Sequence, residues 1–182
     1  MSAAGDQLIE LVNDWVRSDI NRIAQAYLQQ GGWEGWAQVE LALYLRAHAH
    51  ERFKTLYEVM QVHREAYVYA DSNNRADIVL SLPGGEQFII ELKCESWGNQ
   101  KKFGTNMLED YIKVSDAQLK YVYKSAVRYA VGISVSSDGI EYVLKKSGLD
   151  GKVQGDFKHP IMGEEIHDVG WAGAVVWWYR SE

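Results

Sequence analysis

A chain of 182 residues, 47% hydrophobic and 24% charged, is long enough for one globular domain with a substantial core. Its net charge of −6 counts against a broad, non-specific nucleic-acid binder, whose footprint is ordinarily basic. The lone cysteine, Cys94, excludes an intramolecular disulfide and a multi-cysteine zinc site, which suits a reducing cytoplasm. No stretch reaches the roughly eighteen apolar residues of a membrane span, so no membrane partner is expected. The opening "MSAAGDQLIELVNDW" lacks the basic start and apolar core of a secretory signal.

Along the chain, residues 6–30 carry Leu8, Leu11, Trp15, Ile20, Ile23 and Tyr27 at mostly helical spacing, and Gly31-Gly32 closes that helix. A second helix is predicted in "WEGWAQVELALYLRAHAHERFK", apolar on nearly every side and therefore central. "EAYVYA" (65–70) alternates like a strand and "DSNN" turns; strands follow at 76–82 and 87–94. Residues 105–127 are predicted as one long helix, with Met107, Leu108, Tyr111, Ile112 and Val122 toward the core. "RYAVGISV" then reads as a buried strand. A short helix follows in "SDGIEYVLKKSG", with Asp138 and Glu141 at capping-box spacing and Gly148 closing it. Residues 148–168 are Gly-rich with no clear element, and "WAGAVVWWYR" is a final strand. Hairpin-linked strands followed by a crossover helix predict an α/β fold, a mixed central sheet with flanking helices.

Three charges interrupt the apolar hairpin strands: Asp77, Glu91 and Lys93. Ionised groups are rarely buried unless paired or bound to a metal. By alternation Asp77, Val79 and Ser81 share one face, and Gln87, Ile89, Glu91, Lys93 and Glu95 share one face of the next strand. A three-residue loop, Pro83-Gly84-Gly85 or Gly84-Gly85-Glu86, sets Asp77 opposite Glu91 or Lys93 respectively. A regular four-residue loop would instead turn Asp77 to the other face. Glu95 either extends the acidic cluster or is solvated at the strand end. Cys94 points away from Lys93 and belongs to the core.

The pattern of Asp77, thirteen residues, then Glu91-Leu92-Lys93 on a hairpin resembles the PD-(D/E)XK nuclease superfamily. Ala76 stands where the family name has Pro. The resemblance implies a restriction-endonuclease-like αβββαβ core over residues 33–135. A helical extension (1–32) would precede it, and a C-terminal helix, loop and strand (136–182) would follow, all within a single domain (1–182). It further implies a metal-dependent nuclease hydrolysing phosphodiester bonds, most often in DNA. Asp77 and Glu91 would hold Mg²⁺ or Mn²⁺, hard ions that take oxygen ligands, and Lys93 would orient water or neutralise developing charge. Family members often add a helix glutamate, for which Glu40 is the candidate, completing the metal shell. Some also carry a Gln and a Tyr on the later helix, for which Gln118 and Tyr121 offer a loose match.

Other patterns carry less. His48 and His50 are two apart on a helix and point in different directions, so they make no zinc pair. His63, His159 and His167 have no recognisable partner spacing, and "LPGGEQ" lacks the ending of a phosphate-binding loop. Lys101, Lys102, Lys113, Lys120 and Lys124 could track a phosphate backbone or simply lie on a solvated face. The expected partner is DNA, with a protein inhibitor or delivery partner beside it. The expected setting is the cytoplasm, the cell's own for a defence enzyme or a recipient's for a toxin-like effector. The alternative is a non-catalytic, immunity-type binding domain on the same fold, which the acidic charge favours.

Overall fold

The computed structural model describes residues 3–54, 60–70, 73–145, 149, 154–160 and 173–181. Its order is α1 (Ala3–Ser18), α2 (Ile20–Tyr27), α3 (Glu34–Arg52), β1 (Gln61–Ala66), β2 (Ala76–Ser81), β3 (Gln87–Cys94), α4 (Gln100–Asp116), β4 (Val127–Ser134), α5 (Ser137–Lys145), β5 (Gln154–Pro160) and β6 (Gly173–Ser181). The strands form one six-stranded sheet in the order β1-β2-β3-β4-β6-β5. Only β3 and β4 run parallel, joined by the crossover helix α4; the other described pairs are antiparallel. The mixed α/β sheet expected from the strand-helix order is therefore present.

Each face of the sheet has its own core. Leu92, Ile90, Phe88, Ile78 and Leu80 point with Tyr129 and Val131 toward α1, α2 and α3, meeting Leu8, Trp15, Leu41 and Leu45. The opposite face carries Val175 and Trp177 against Phe103 and Met107 of α4 and Val143 of α5. Gly132 of β4 is what lets α4 come close. A Cβ there would stand 2.2 Å from the Met107 sulfur, so any larger residue displaces the Met107 side chain. Among the described residues no helix is long and apolar enough to cross a membrane.

Several elements differ from the sequence expectation. The first helix breaks at Asp19, where the Trp15 indole donates to Asp19 Oδ2 at 3.0 Å and the Ser18 hydroxyl to the Trp15 carbonyl at 2.9 Å. Such local side-chain bonds compete with the helical ladder. Helix α3 is apolar on most sides but not central, since its outer side leaves Val39 and Leu43 exposed. Strand β1 lies at Gln61–Ala66 rather than 65–70, and Tyr69 makes only an isolated bridge with Leu119.

That bridge also ends α4 early. Ala117 turns extended (ψ 136°), the Ala70 amide donates to the Gln118 carbonyl at 2.8 Å, and Tyr121–Tyr123 form one 3₁₀ turn. Ile112 and Val122, expected in the core, are exposed. Helix α5 is present, but Ser136 caps it, its hydroxyl accepting from the Gly139 amide at 2.9 Å, and not Asp138. Strand β5 occupies part of the Gly-rich stretch that carried no predicted element. Gly148, His167, the start of the "DSNN" turn and the start of the last predicted strand lie outside the described residues.

Candidate active site

The hairpin closes on a three-residue loop. The Leu82 amide donates to the Glu86 carbonyl at 2.8 Å, leaving Pro83, Gly84 and Gly85 as the loop, with Gly85 at φ 87°. Only glycine adopts that φ without strain. The ladder pairs Ser81 with Gln87 through to Ile78 with Ile90, and one step further the same register sets Asp77 against Glu91. Opposed residues share a face, so the two carboxylates point to one side.

Beyond Ile78 the ladder between β2 and β3 stops, and side chains take over its donors. Asp77 Oδ2 accepts from the Leu92 amide at 2.7 Å, and Glu34 Oε2 accepts from the Cys94 amide at 3.4 Å. Where the strands part, carboxylates from β2 and α3 are thus anchored to the β3 backbone. Glu34 sits at the first residue of α3, where the helix N-terminus favours an acid. Its Oε1 accepts from Lys93 Nζ at 2.9 Å.

Helix α4 closes the other side. Phe103, Met107, Asp110 and Val114 form its buried stripe, so a carboxylate occupies a position that is otherwise apolar. Asp110 Oδ2 is buried with no hydrogen-bond partner, and Lys93 Nζ stands 3.6 Å from it. One turn on, Lys113 Nζ lies 2.8 Å from Glu91 Oε2 and 4.7 Å from the Tyr69 ring centre. The Tyr69 hydroxyl donates to Glu91 Oε1 in a short hydrogen bond.

Four carboxylates (Glu34, Asp77, Glu91, Asp110) thus face two ammonium groups (Lys93, Lys113). Burial pushes the Glu91 carboxyl up to about 7, helped by the charge of Asp77 and opposed by Lys113. Burial likewise lifts Asp110 to about 6, against the pull of Lys93. Asp77 is raised by burial, against its bond from the Leu92 amide and the charge of Lys93. Burial disfavours the Lys93 ammonium, but Asp110 and Glu34 outweigh it and hold its pKa above the ordinary lysine value. Among the described residues the cluster thus has more carboxylates than ammonium groups, and the raised pKa values of Glu91 and Asp110 favour their protonated forms.

Two sequence candidates lie elsewhere. Glu40 is not at the site: its carboxylate pairs with Arg22 at 3.1 Å, on the outer side of α3 near the exposed Val39 and Leu43. Six residues along α3 turn it away, and Glu34 supplies the helix carboxylate instead. Gln118 is exposed, past the end of α4, and contributes its backbone carbonyl to the Tyr69 segment, while Tyr121 is 89% exposed. Glu95 is neither solvated nor part of the cluster. It is fully buried and accepts from the Val135 and Ser136 amides at 2.8 and 3.0 Å, and from the hydroxyls of Ser136 and Tyr27. Cys94 is buried as expected, its thiol pushed well up by burial.

A groove of about 240 Å³ adjoins Lys93, lined by Gly32, Glu34, Ser96, Asn99, Lys102 and Asn106 among others. Among the described residues no three His, Cys, Asp or Glu side chains are gathered into a metal cage. Both Glu91 oxygens and Asp77 Oδ2 are already held by Tyr69, Lys113 and the Leu92 amide, and Asp110 Oδ2 is the cluster oxygen buried without a hydrogen-bond partner among the described residues. Comparison with protein-family models, with curated proteins and with solved structures gives no match. The likeness to PD-(D/E)XK nucleases accordingly rests on the hairpin motif and its surroundings.

Proposed function

We propose that the chain is a metal-dependent nuclease that hydrolyses phosphodiester bonds, with DNA as its substrate, acting as a toxin-type effector or a defence enzyme in a cytoplasm. The observation that carries the reading is the excess of carboxylates at the point where β2 and β3 part, with Lys93 among them. A structural salt bridge needs one acid per base; this cluster keeps two acids unbalanced in a buried site, at a cost in desolvation. A divalent ion removes that cost. Mg²⁺ is ordinarily held by one or two carboxylates with waters and phosphate oxygens completing its shell, so a pair such as Asp77 and Glu91 suits it without a protein cage.

When bound there, the ion supplies Lewis-acid polarisation of the scissile phosphate and of a water. The chain's residues do the remainder. Lys93, held by Glu34 and Asp110, keeps a fixed positive charge where negative charge develops on the phosphate oxygens. Its raised pKa keeps it charged across the physiological range, which suits it to electrostatic stabilisation and not to proton abstraction. Asp77 and Glu91 would hold the ion, and Glu91, now paired with Lys113, has its other carboxylate oxygen fixed by the Tyr69 hydroxyl. The test is cleavage of plasmid and of single-stranded circular DNA with Mg²⁺ against EDTA, comparing the wild type with Lys93→Ala; cleavage in EDTA, or equal cleavage by the variant, would end this reading.

One observation favours a second reading. Both oxygens of Glu91 already have protein partners, Tyr69 and Lys113, as in a site that has settled into a salt bridge. On that reading the chain is a non-catalytic, immunity-type binding domain whose acidic surface meets a protein partner. Failure to bind Mg²⁺ or Mn²⁺ would favour it.

A further inference from the structure

Beside the site lie aromatic rings that no core claims. Tyr121 is 89% exposed and Val122 67%, on the 3₁₀ turn after Lys120, and Tyr67 is 47% exposed. Tyr27, Tyr69 and Tyr129 are buried, so exposure is not the habit of tyrosines in this chain. Cations gather at the same place. The Arg75 guanidinium lies 4.7 Å from the Tyr67 ring centre and donates to its hydroxyl at 2.6 Å, and Lys120 Nζ stands 5.5 Å from the ring. Arg75 meets the exposed Glu65 at 3.6 Å; among the described residues Lys120 and the exposed Lys124 have no carboxylate partner. In a chain of net charge −6, residues 113–124 carry three lysines and one acid, Asp116.

The patch begins where the site ends. Lys113, which holds Glu91, also donates to the Arg75 carbonyl at 3.1 Å. Tyr69, which holds the other Glu91 oxygen, bridges to Leu119, next to Lys120. Exposed rings interleaved with unpaired cations fit a strand whose bases are free to stack and whose phosphates follow the lysines. A duplex offers phosphates but no free base faces, since its bases are stacked on one another, and its higher charge density meets an acidic protein.

We propose that Tyr67, Tyr121 and Val122, with Arg75, Lys120 and Lys124, form a docking platform for single-stranded nucleic acid, leading an unpaired strand to the Asp77–Glu91–Lys93 site. Its role in leading substrate rests on the nuclease reading; its ability to bind a strand does not.

The experiment is fluorescence anisotropy in EDTA with a labelled oligo-dT strand, the matching oligo-U strand and a duplex of equal length. The wild type should bind either single strand at least about tenfold more tightly than the duplex. Tyr121→Ala should weaken single-strand binding by about tenfold, within the range of one lost base stack, while Tyr121→Phe should keep it. Replacing Lys120 and Lys124 together by Gln should flatten the log–log salt slope by about 1.4, two single-strand phosphate contacts. Equal binding of duplex and strand, unchanged binding by Tyr121→Ala, loss by Tyr121→Phe, or no binding at all would each overturn the proposal. Mg²⁺-dependent hydrolysis of bis(p-nitrophenyl) phosphate, too small to reach the platform, separates the two ideas. Wild type and Tyr121→Ala should hydrolyse it equally, and its absence in both would fault the nuclease reading while the anisotropy still judges the platform.

Discussion

Glu91 and Glu95 stand four residues apart on one stretch of chain and are equally buried, yet they live in opposite surroundings. Glu95 is met by neutral dipoles from Val135, Ser136 and Tyr27, which join the end of β3 to the start of α5. Among the described residues no second carboxylate crowds it, and Gly139 leaves it room, since a Cβ there would come within 2.3 Å of its oxygen. Glu91 instead faces Asp77 across the hairpin, with Asp110 and Glu34 around Lys93 and only two lysines to balance four acids. A buried carboxylate with every lone pair met by a dipole is a structural joint. A buried carboxylate crowded by other acids is where the ligand is proposed, and the contrast separates the two.

The contrast is sharpest in stability. Glu95→Ala leaves four donors without their acceptor, each worth about 1–3 kcal/mol when buried, so urea unfolding should show a loss of at least about 4 kcal/mol. If Glu95→Ala unfolds like the wild type, Glu95 is not the joint described. In catalysis the expected order reverses. Lys93→Ala should lower Mg²⁺-dependent DNA cleavage by about 10²–10³-fold while keeping the fold, as does the loss of one fixed group that stabilises developing charge. A variant that cleaves at the wild-type rate would remove Lys93 from the mechanism.

The third difference is a pH dependence. Glu91 ionises near 4.5 when unfolded and at about 7 when folded, so across that window the folded state holds a proton the unfolded state has lost. Stability contributed by protonated Glu91 is full below pH 4.5 and is lost as pH rises through 7, by about 3 kcal/mol at roughly 1.4 kcal/mol per pKa unit. Asp110, raised to about 6, adds in the same direction. Urea unfolding in EDTA from pH 5 to 8 should show this fall, and Glu91→Gln should remove much of it. A flat profile in the wild type would mean that the cluster is already neutralised by other means.

The smallest effect separates the two helix acids. Glu34→Gln should lower cleavage by about 10–100-fold, because it positions Lys93. Glu40→Gln should leave cleavage unchanged and the melting midpoint barely moved, since its partner Arg22 lies in solvent. Equal effects would contradict the placement of both.

The hairpin was legible because strand alternation and a Pro-Gly-Gly loop act locally, and both survive folding unchanged. The choice between Glu34 and Glu40 was not. Glu40 sits in an apolar sequence context, but that stripe includes the exposed Val39 and Leu43, whereas a first-turn glutamate such as Glu34 needs no site to explain it. Asp110 left a trace, a carboxylate in step with Phe103, Met107 and Val114, and the same periodicity brings Lys113 to Glu91. The end of α4 misled because "LKYVYK" keeps a helical rhythm, while the contact that pulls it extended, Leu119 with Tyr69, is fifty residues away in sequence. Strand β5 was hidden by the glycines around it; its partner β6 supplies the pairing that its own composition does not announce.

The central claim is that the Glu91 cluster lacks a cation which the Glu95 joint does not need. Calorimetric titration of Mn²⁺ at pH 7.5 into the wild type, Asp77→Asn and Lys93→Ala tests it most directly. The account predicts one ion bound by the wild type, the same ion bound by Lys93→Ala, and none by Asp77→Asn. A wild type that binds no ion, or an Asp77→Asn variant that binds it unchanged, would contradict it.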